Sequence, residues 1–432
     1  MSNPFLGLFG LNNLETDEDP DAWNNVVLRT MPNGSAQIYA LTSLMKKRKL
    51  ANTTFNWWVK GFRDQLATIT GIYTDAALSS AYTTGATKGT QIFVKGSAAH
   101  VSHFRPRHMV LLTNDTDPTY QHIGKVTDRH INGANSYVSV IMLQAESVGG
   151  YLAYSADKTN RMLVIGSVNP QGSERPEALH YPPVKYTNYT QIFRDAVAIT
   201  RTTQQTELRT RNRYLESKAD CLFDHAVGIE KGLLFSVGQE GTGDNNQPET
   251  TTDGLLNFVR TNESGNFDYY PTNATYTSKT WLNGGEDFLE DKLETLFRWT
   301  DSVVCFGGSG AIKGLNRLVR YVGNYQIEAN TEKYGINVQY WITPYGTIYV
   351  KNHPLFSAVS TMRNMMVLMN PKDLAWCTIQ PTHYAKDDAF MKGGGDGLDG
   401  IREGYLTEAG MQFGDPKHIM VLGGIGLDGE SV

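Results

Sequence analysis

Cysteine is scarce: Cys221, Cys305 and Cys377 are the only three in 432 residues, and they lie far apart. That spacing provides neither a disulfide framework nor a C-x-x-C metal or redox pair, and it fits a reducing compartment. No apolar run approaches the ~20 residues of a membrane-spanning helix, so no membrane association is expected. There is no basic excess either, with 39 Lys plus Arg against 44 Asp plus Glu and a net charge of -5, which argues against a dedicated nucleic-acid binder. The first residues lack the basic start and apolar core of a secretory signal and run instead into Glu15, Asp17, Glu18, Asp19 and Asp21. A nucleophile elbow, a Walker sequence, a His-Glu-x-x-His helix and a dinucleotide fingerprint are all missing. The chain therefore reads as a non-enzyme, with no catalytic residue, metal or cofactor assigned.

What is present suits a folded chain with extended surface segments. Hydrophobic residues make up 40% and charged residues 19%, which excludes a wholly disordered protein. Glycine, at 42 residues, exceeds the usual ~7%. Tyrosine, at 22, is the commonest aromatic.

Residues 1–40, including Trp23, mix Gly, Asn, Pro and acidic side chains without a sustained period, and read as an arm that relies on a neighbouring subunit. A short helix is expected around Ala40 to Met45. The basic run Lys46 to Lys49 follows, read as a solvated helix end or as a contact for nucleic acid or an acidic arm. From about 88 to 165 the pattern is β, with apolar runs at Met109 to Leu112 and Tyr137 to Leu143, and Asn132-Gly133 is the best hairpin signal because a type I′ turn needs positive φ at both centres. The longest helix is expected over 204–236, its apolar stripe running through Leu208, Leu215, Ala219, Leu222, Ala226, Ile229 and Leu233, with Arg209, Arg211 and Arg213 on the charged face.

A Gly-, Asn- and Thr-rich linker near 238–285 leads to a second α/β unit. Its first helix is expected to open on Glu286 and Asp287, which the helix dipole favours. A strand at Val303 to Phe306, a helix at Ala311 to Tyr321, and a hairpin across Thr343-Pro344-Tyr345-Gly346 follow. Strands at Met365 to Met369 and Leu374 to Ile379 complete a mixed sheet. Lys392 to Gly400 reads as a glycine-rich loop. Tyr405 to Phe413 is expected to pair with His418 to Leu422 as a terminal hairpin across Gly414-Asp415-Pro416.

The chemical candidates are weak. Gly307-Gly-Ser-Gly310-Ala-Ile-Lys313-Gly314 follows a strand and opens a helix, yet its Lys is not followed by Ser or Thr, so a tight turn explains it better than a phosphate cradle. Five histidines, His100, His103, His108, His122 and His130, crowd one β-rich stretch. Without a carboxylate or thiolate completing a zinc set, they read as groups that hydrogen-bond across an interface or titrate near neutrality. Glu286 and Glu290, at i, i+4, read as a solvated helix face. Asn-x-Ser/Thr triplets at Asn52, Asn188 and Asn273 would matter only after secretion.

Several segments carry a resemblance. Asn188-Tyr189-Thr190-Gln191-Ile192-Phe193-Arg194-Asp195, followed by the long helix with Ile229-Glu230-Lys231-Gly232-Leu233-Leu234-Phe235, resembles the major capsid proteins of tailed bacteriophages. So does Asn52-Thr53-Thr54-Phe55-Asn56-Trp57-Trp58, which in one branch of those proteins precedes an extended loop. The strand-turn-strand from Tyr340 to His353, the Met369-Asn370-Pro371 break and Glu408-Ala409-Gly410-Met411-Gln412-Phe413 are similar too, and the order of these motifs covers nearly everything after about residue 40.

The resemblance implies an α+β, Hong Kong 97-type shell fold. Its parts would be an N-terminal arm (1–40), the start of the peripheral domain (41–84) and an extended loop with a small β module (85–165). The peripheral domain with its spine helix (166–285), an axial domain (286–379) and a return to the peripheral domain (380–432) would follow. It also implies a virion structural protein, assembled in the bacterial host cytoplasm into hexamers and pentamers of an icosahedral head around double-stranded DNA. The implied partners are further copies of the chain, a portal protein at one vertex, a separate scaffolding protein, a possible decoration protein, and packaged DNA in weak non-specific contact. Some relatives weld a loop Lys to an Asn of a neighbour, and Lys88 or Lys95 could supply the amine, but no partner Asn or assisting Glu is matched. The interface candidates are Trp23, His100, His103, Arg105, Arg107, Arg209, Arg211 and Arg213. The competing reading is a β-rich phage attachment or glycan-binding protein with Tyr-rich contact loops.

Overall fold

The computed structural model describes residues 42, 45–62, 65–83, 85–117, 119–146, 158–206, 213–322, 327–333, 336–386 and 400–429. The arm at 1–40 with Trp23, most of the helix expected before Lys46, and the glycine-rich loop short of Gly400 lie outside the described residues. The chain divides into two compact units, one from Lys60 to Val184 and one built from the residues on either side.

The inserted unit is a seven-stranded sheet in the order Leu66–Thr68, Arg161–Ser167, His108–Thr113, Gln121–His130, Tyr137–Met142, Gln91–Lys95, Gly71–Tyr73. Successive side chains on a strand point to opposite faces, so every second residue lines one core. Ile92, Val94, Val110, Leu112, Val126, Val138, Val140 and Met142 are fully enclosed there. The one-turn helix Ala98–Val101, capped by Ser97, adds Val101, and Phe104 follows it inward. Gly124 is required by packing, because a Cβ there would sit 2.2 Å from the Val140 side chain. The hairpin expected at Asn132-Gly133 forms between the predicted strands, but not through a type I′ turn. Asn132 has φ -145°, and a 3-10 turn spans Gly133–Asn135. Ser136 fixes this wider loop: its hydroxyl accepts from the Asn132 N–H at 2.9 Å and donates to the Gly133 carbonyl at 2.8 Å.

The larger unit is organised on a second seven-stranded, mixed sheet. Its order is Phe267–Tyr269, Ile419–Gly423, Met366–Met369, Ser302–Gly307, Thr347–Asn352, Ile336–Ile342, Ile327–Lys333. The central strands are apolar without alternation because both faces are covered. Val303 and Cys305 face the helices Trp281–Phe297 and Ser309–Val322, which contribute Phe288, Leu289, Leu293, Leu296, Ala311, Leu315 and Leu318. Val304 and Phe306 face the other side, where Ile229, Leu233 and Leu234 of the long helix Arg213–Phe235 meet Leu255, Phe258 and Val259 of the helix Leu255–Asn262. Each such large side chain contributes about 1.5–3 kcal/mol by leaving water. A four-stranded sheet, Lys46–Lys49, Ala375–Lys386, Gly400–Gln412, Gln191–Thr200, completes the unit. Helices and sheets together make the chain α+β.

Six expectations need correction. The strand expected at Leu374 to Ile379 is present within Ala375–Lys386, but it pairs with Gly400–Gln412 in the four-stranded sheet and does not join Met366–Met369 in the mixed one. Lys46–Lys49 is an exposed edge strand running parallel to Ala375–Thr378, not a helix end; edge lysines discourage further strand pairing. Gly400–Gln412 and Ile419–Gly423 do not pair with each other: the first lies between Gln191–Thr200 and Ala375–Lys386, the second in the other sheet, so Gly414 to Pro416 carries the chain between sheets. The segment read as a linker holds the buried helix Leu255–Asn262 and a small hairpin. The acidic helix starts at Trp281, whose ring is buried and whose indole N–H donates to the Gly314 carbonyl at 3.0 Å, rather than at Glu286.

Finally, the helix expected over 204–236 is described as Arg201–Gln205 and Arg213–Phe235, and 207–212 lie outside the described residues. Its stripe is also displaced. Cys221, His225, Ile229 and Leu233 are buried, whereas Leu215 and Leu222 are 56% and 44% exposed.

Candidate functional site

His100, His103, Arg105 and Arg107 converge on one corner of the inserted unit, and all four are half-buried. The Arg105 guanidinium donates to the Glu177 carbonyl at 2.5 Å and that of Arg107 to the Glu174 carbonyl at 3.0 Å. The Tyr181 hydroxyl donates to the His103 carbonyl, and their rings lie 5.0 Å apart. Arg129, absent from the sequence-derived candidates, is the centre of the corner. It donates to the carbonyls of Ser102 and Phe104 at 3.1 and 2.9 Å and pairs with Glu177 at 2.6 Å. The arginines thus strap residues 174–181 onto their own sheet. Arg107 sits at φ +75°, in the left-handed region that a residue other than glycine rarely adopts. Its N–H donates to the Val126 carbonyl, and its own carbonyl accepts from Val168.

The remaining histidines of that stretch do not gather. His108 and His122 are buried and His130 lies beside the Tyr137 ring. Burial, followed by Arg105 and Arg129, holds the imidazole of His108 below its ordinary pKa; burial does the same to His122, which is hydrogen-bonded to the Gln144 carbonyl at 3.1 Å. Among the described residues no three His, Cys, Asp or Glu side chains are placed to hold a metal ion.

The glycines of Gly307 to Gly314 serve packing. A Cβ on Gly308 would lie 2.4 Å from the Arg363 carbonyl oxygen, and one on Gly314 2.6 Å from Gly426. The strand-to-helix turn is pressed against two backbone segments, which accounts for the motif.

In the larger unit, polar side chains that periodicity passed over bolt distant segments together. His225, in the long helix, contacts Asp195 through Nδ1 at 2.6 Å and Thr407 through Nε2 at 2.8 Å, joining the helix to two strands. Glu230 meets His353 at 2.6 Å with both side chains inaccessible. Asn188 donates to the Met411 carbonyl at 2.8 Å and accepts from the Asp253 N–H at 2.7 Å. Tyr214 and Tyr384 both donate to Glu403, with the Lys218 ammonium 3.5 Å over the Tyr384 ring. The signal for Glu230 was legible in principle: it is a carboxylate beside Ile229 on the buried side of an amphipathic helix. Of the charged-face candidates, Arg213 opens the long helix, while Arg209 and Arg211 lie outside the described residues.

Among the described residues of this unit, Trp58, Ile192, Leu215, Leu222 and Tyr321 are large apolar side chains that stand exposed.

A shell subunit is what the sequence comparisons return. The major capsid protein of Pseudomonas phage PaMx41 is 24% identical over 408 residues, covering 92% of this chain and 88% of that one. The sequence model of the family described as SU10 major capsid protein matches residues 14–426. The chain belongs to the SU10 major capsid protein family, and copies of it form the capsid shell of the phage virion. The reading as an attachment or glycan-binding protein is set aside by that match. Among solved structures, the capsid of the native GTA particle aligns over 94% of both chains at 8% identity and a TM-score of 0.41. The satellite phage P4 procapsid including size determination (Sid) protein aligns over 66% of this chain and 84% of that one, at 10% identity and a TM-score of 0.38.

Proposed function

We propose that the shell is an icosahedral head of hexamers and pentamers enclosing double-stranded DNA, and that the chain takes the Hong Kong 97-type layout. Residues 1–40 are the arm, 85–165 the extended loop with its β module, 286–379 the axial domain, and 41–84, 166–285 and 380–432 the peripheral domain with the long helix as its spine. The observation that carries this reading is the family match over residues 14–426. The separate compactness of Lys60–Val184 supports an inserted module in the loop, wider than the loop's bounds. The work of the chain is self-association rather than turnover. Trp23, His100, His103, Arg105, Arg107, Arg209, Arg211 and Arg213 are assigned to contacts between copies, the loop arginines by holding the strap that forms the contact surface. The partners are a portal protein at one vertex and a separate scaffolding protein, with room left for a decoration protein. Contact with DNA is weak, in keeping with the net charge of -5.

The test is assembly. The full chain, produced in a bacterial host with and without a candidate scaffolding protein, is imaged by negative-stain microscopy. Capsomer rings and closed shells are expected with the scaffold. A trimeric fibre or a small discrete oligomer would overturn the reading, and native-sized shells from the chain alone would remove the separate scaffold.

A further inference from the structure

The two helices on one side of the central sheet of the larger unit expose opposite charge. On Ser309–Val322, Lys313, Arg317 and Arg320 are exposed at i, i+4 and i+7 along a groove of about 440 Å³ that also takes in Ser309, Ile312 and Asn316. A second groove, of about 270 Å³, continues it past Lys313 and Arg317 to Arg363. None of the ion pairs among the described residues includes Lys313, Arg317 or Arg320. On Trp281–Phe297, Asp287, Glu290, Asp291 and Glu294 are exposed along one face. Asp291 accepts from the Tyr276 hydroxyl. Among the described residues Asp287 and Glu294 have loose partners, Lys279 at 4.0 Å and Arg298 at 3.6 Å, with side chains 65% and 59% exposed. Exposed pairs of this kind are weak and readily exchanged.

We propose that the basic groove of Lys313, Arg317 and Arg320 receives the acidic face of Asp287, Glu290 and Glu294 from a second copy of the chain, and that this pairing closes the capsomer ring. The inference deepens the shell-subunit reading and rests on it. The occupant follows from charge complementarity: three exposed cations, none of them in an ion pair among the described residues, meet a strip of carboxylates of similar length, spaced at helical intervals. A contact between unlike patches leaves each copy with one free patch of either sign, so it repeats head to tail and closes when the rotation allows. Long, solvated charged side chains also tolerate small changes of angle, which a subunit shared by five- and six-membered rings requires. Packaged nucleic acid is the weaker occupant, because the acidic helix beside the groove repels a polyanion.

The test uses the full-length chain and three charge variants. Lys313→Glu/Arg317→Glu/Arg320→Glu makes both patches acidic, and Asp287→Lys/Glu290→Lys/Glu294→Lys makes both basic. Each alone is expected to weaken ring association by about tenfold or more, with wild-type rings also loosening as NaCl rises from about 0.05 M to about 1 M. The chain carrying all six substitutions has its patches exchanged and is expected to recover rings. A mixture of the two triple variants is expected to form six-membered rings but no five-membered ones, since an odd ring must place two like patches together. Native mass spectrometry and ring classes in negative stain read these outcomes, and circular dichroism confirms that each variant is folded. Wild-type rings alongside unaffected triple variants, or a folded exchanged chain that fails to recover, overturn the pairing alone. A wild-type chain that forms no rings under any condition overturns the shell reading with it. Intact rings that lose only DNA retention in the acidic variant overturn the pairing and give the groove to nucleic acid.

Discussion

The inserted unit and the larger unit solve the burial of polar groups in different ways. In Lys60–Val184 three of the six strand pairings join strands consecutive in the chain, as Gln121–His130 does with Tyr137–Met142, and a single apolar cluster fills one side. In the larger unit the central sheet is covered on both faces, and its buried polar side chains join residues 123 to 223 positions apart: Glu230 to His353, His225 to Thr407, Asn188 to Met411. Local pairing needs little loop closure before contacts form, whereas the long-range bolts engage only after most of the chain is in place. The difference teaches that the first unit is specified by strand pattern, and the second by a small number of polar contacts that only one arrangement satisfies.

That division is broken most directly through the cores. Phe306→Ala in the central sheet and Phe104→Ala in the inserted unit each remove a fully buried ring and are expected to cost about 3–5 kcal/mol. Hydrogen exchange followed by mass spectrometry should show lost protection confined to the unit that carries the change. Loss spreading equally through both would dissolve the comparison.

The buried pair sharpens it. Glu230→Ala leaves the His353 imidazole enclosed beside an empty site, and the loss is expected to reach about 3–5 kcal/mol in denaturant unfolding of the larger unit. Glu230→Leu with His353→Leu removes both polar groups and should recover most of that loss. A double variant as unstable as the single one would show that the pair acts through something other than mutual satisfaction.

Sequence pattern located the apolar central strands but left Thr54–Val59 and Gln191–Thr200 unassigned and placed the faces of the long helix poorly, and the reason is physical. Apolar periodicity marks burial of apolar groups, so Val303 to Phe306 and Tyr137 to Met142 were legible. His225 and Glu230 occupy buried positions on the strength of hydrogen bonds supplied from elsewhere in the chain, which no local period encodes. Leu215 and Leu222 mislead for the converse reason: they are apolar and periodic, yet exposed. The terminal hairpin failed because a Gly-Asp-Pro turn specifies a change of direction but not which sheet the next strand joins. The loop candidates His100 to Arg107 were found as a cluster. Their straps to Glu174 and Glu177 were not, because the contacts are to backbone carbonyls.

Asn188 provides a smaller test of the polar specification. Asn188→Ala frees the Met411 carbonyl and the Asp253 N–H inside the protein and is expected to cost about 1–3 kcal/mol in the larger unit. Exchange protection of the Gly400–Gln412 strand should fall first. An unchanged melting curve would mean that another group takes over both contacts.

The smallest expected effect separates the units by pH. His108 and His122 are both held below the ordinary 6.5, chiefly by burial, so the unfolded chain binds protons that the folded inserted unit resists. Stability held above pH 6.5 is therefore given up as pH falls from there through the folded values. His418 runs the other way. Its Nδ1 lies 2.7 Å from Asp373, and that hydrogen bond raises its pKa above 6.5. The stabilisation is complete below pH 6.5 and is lost as pH rises through the folded value. Between about pH 7 and about pH 5 the inserted unit should lose exchange protection, while the His418 contact holds its full contribution to the larger unit once pH is below 6.5. His122→Gln keeps a donor toward the Gln144 carbonyl and should flatten the acid response of the inserted unit whatever it does to the baseline. A response that stays equally steep in His122→Gln and in His108→Gln would trace the acid sensitivity to other groups, and the two units would then differ in topology alone.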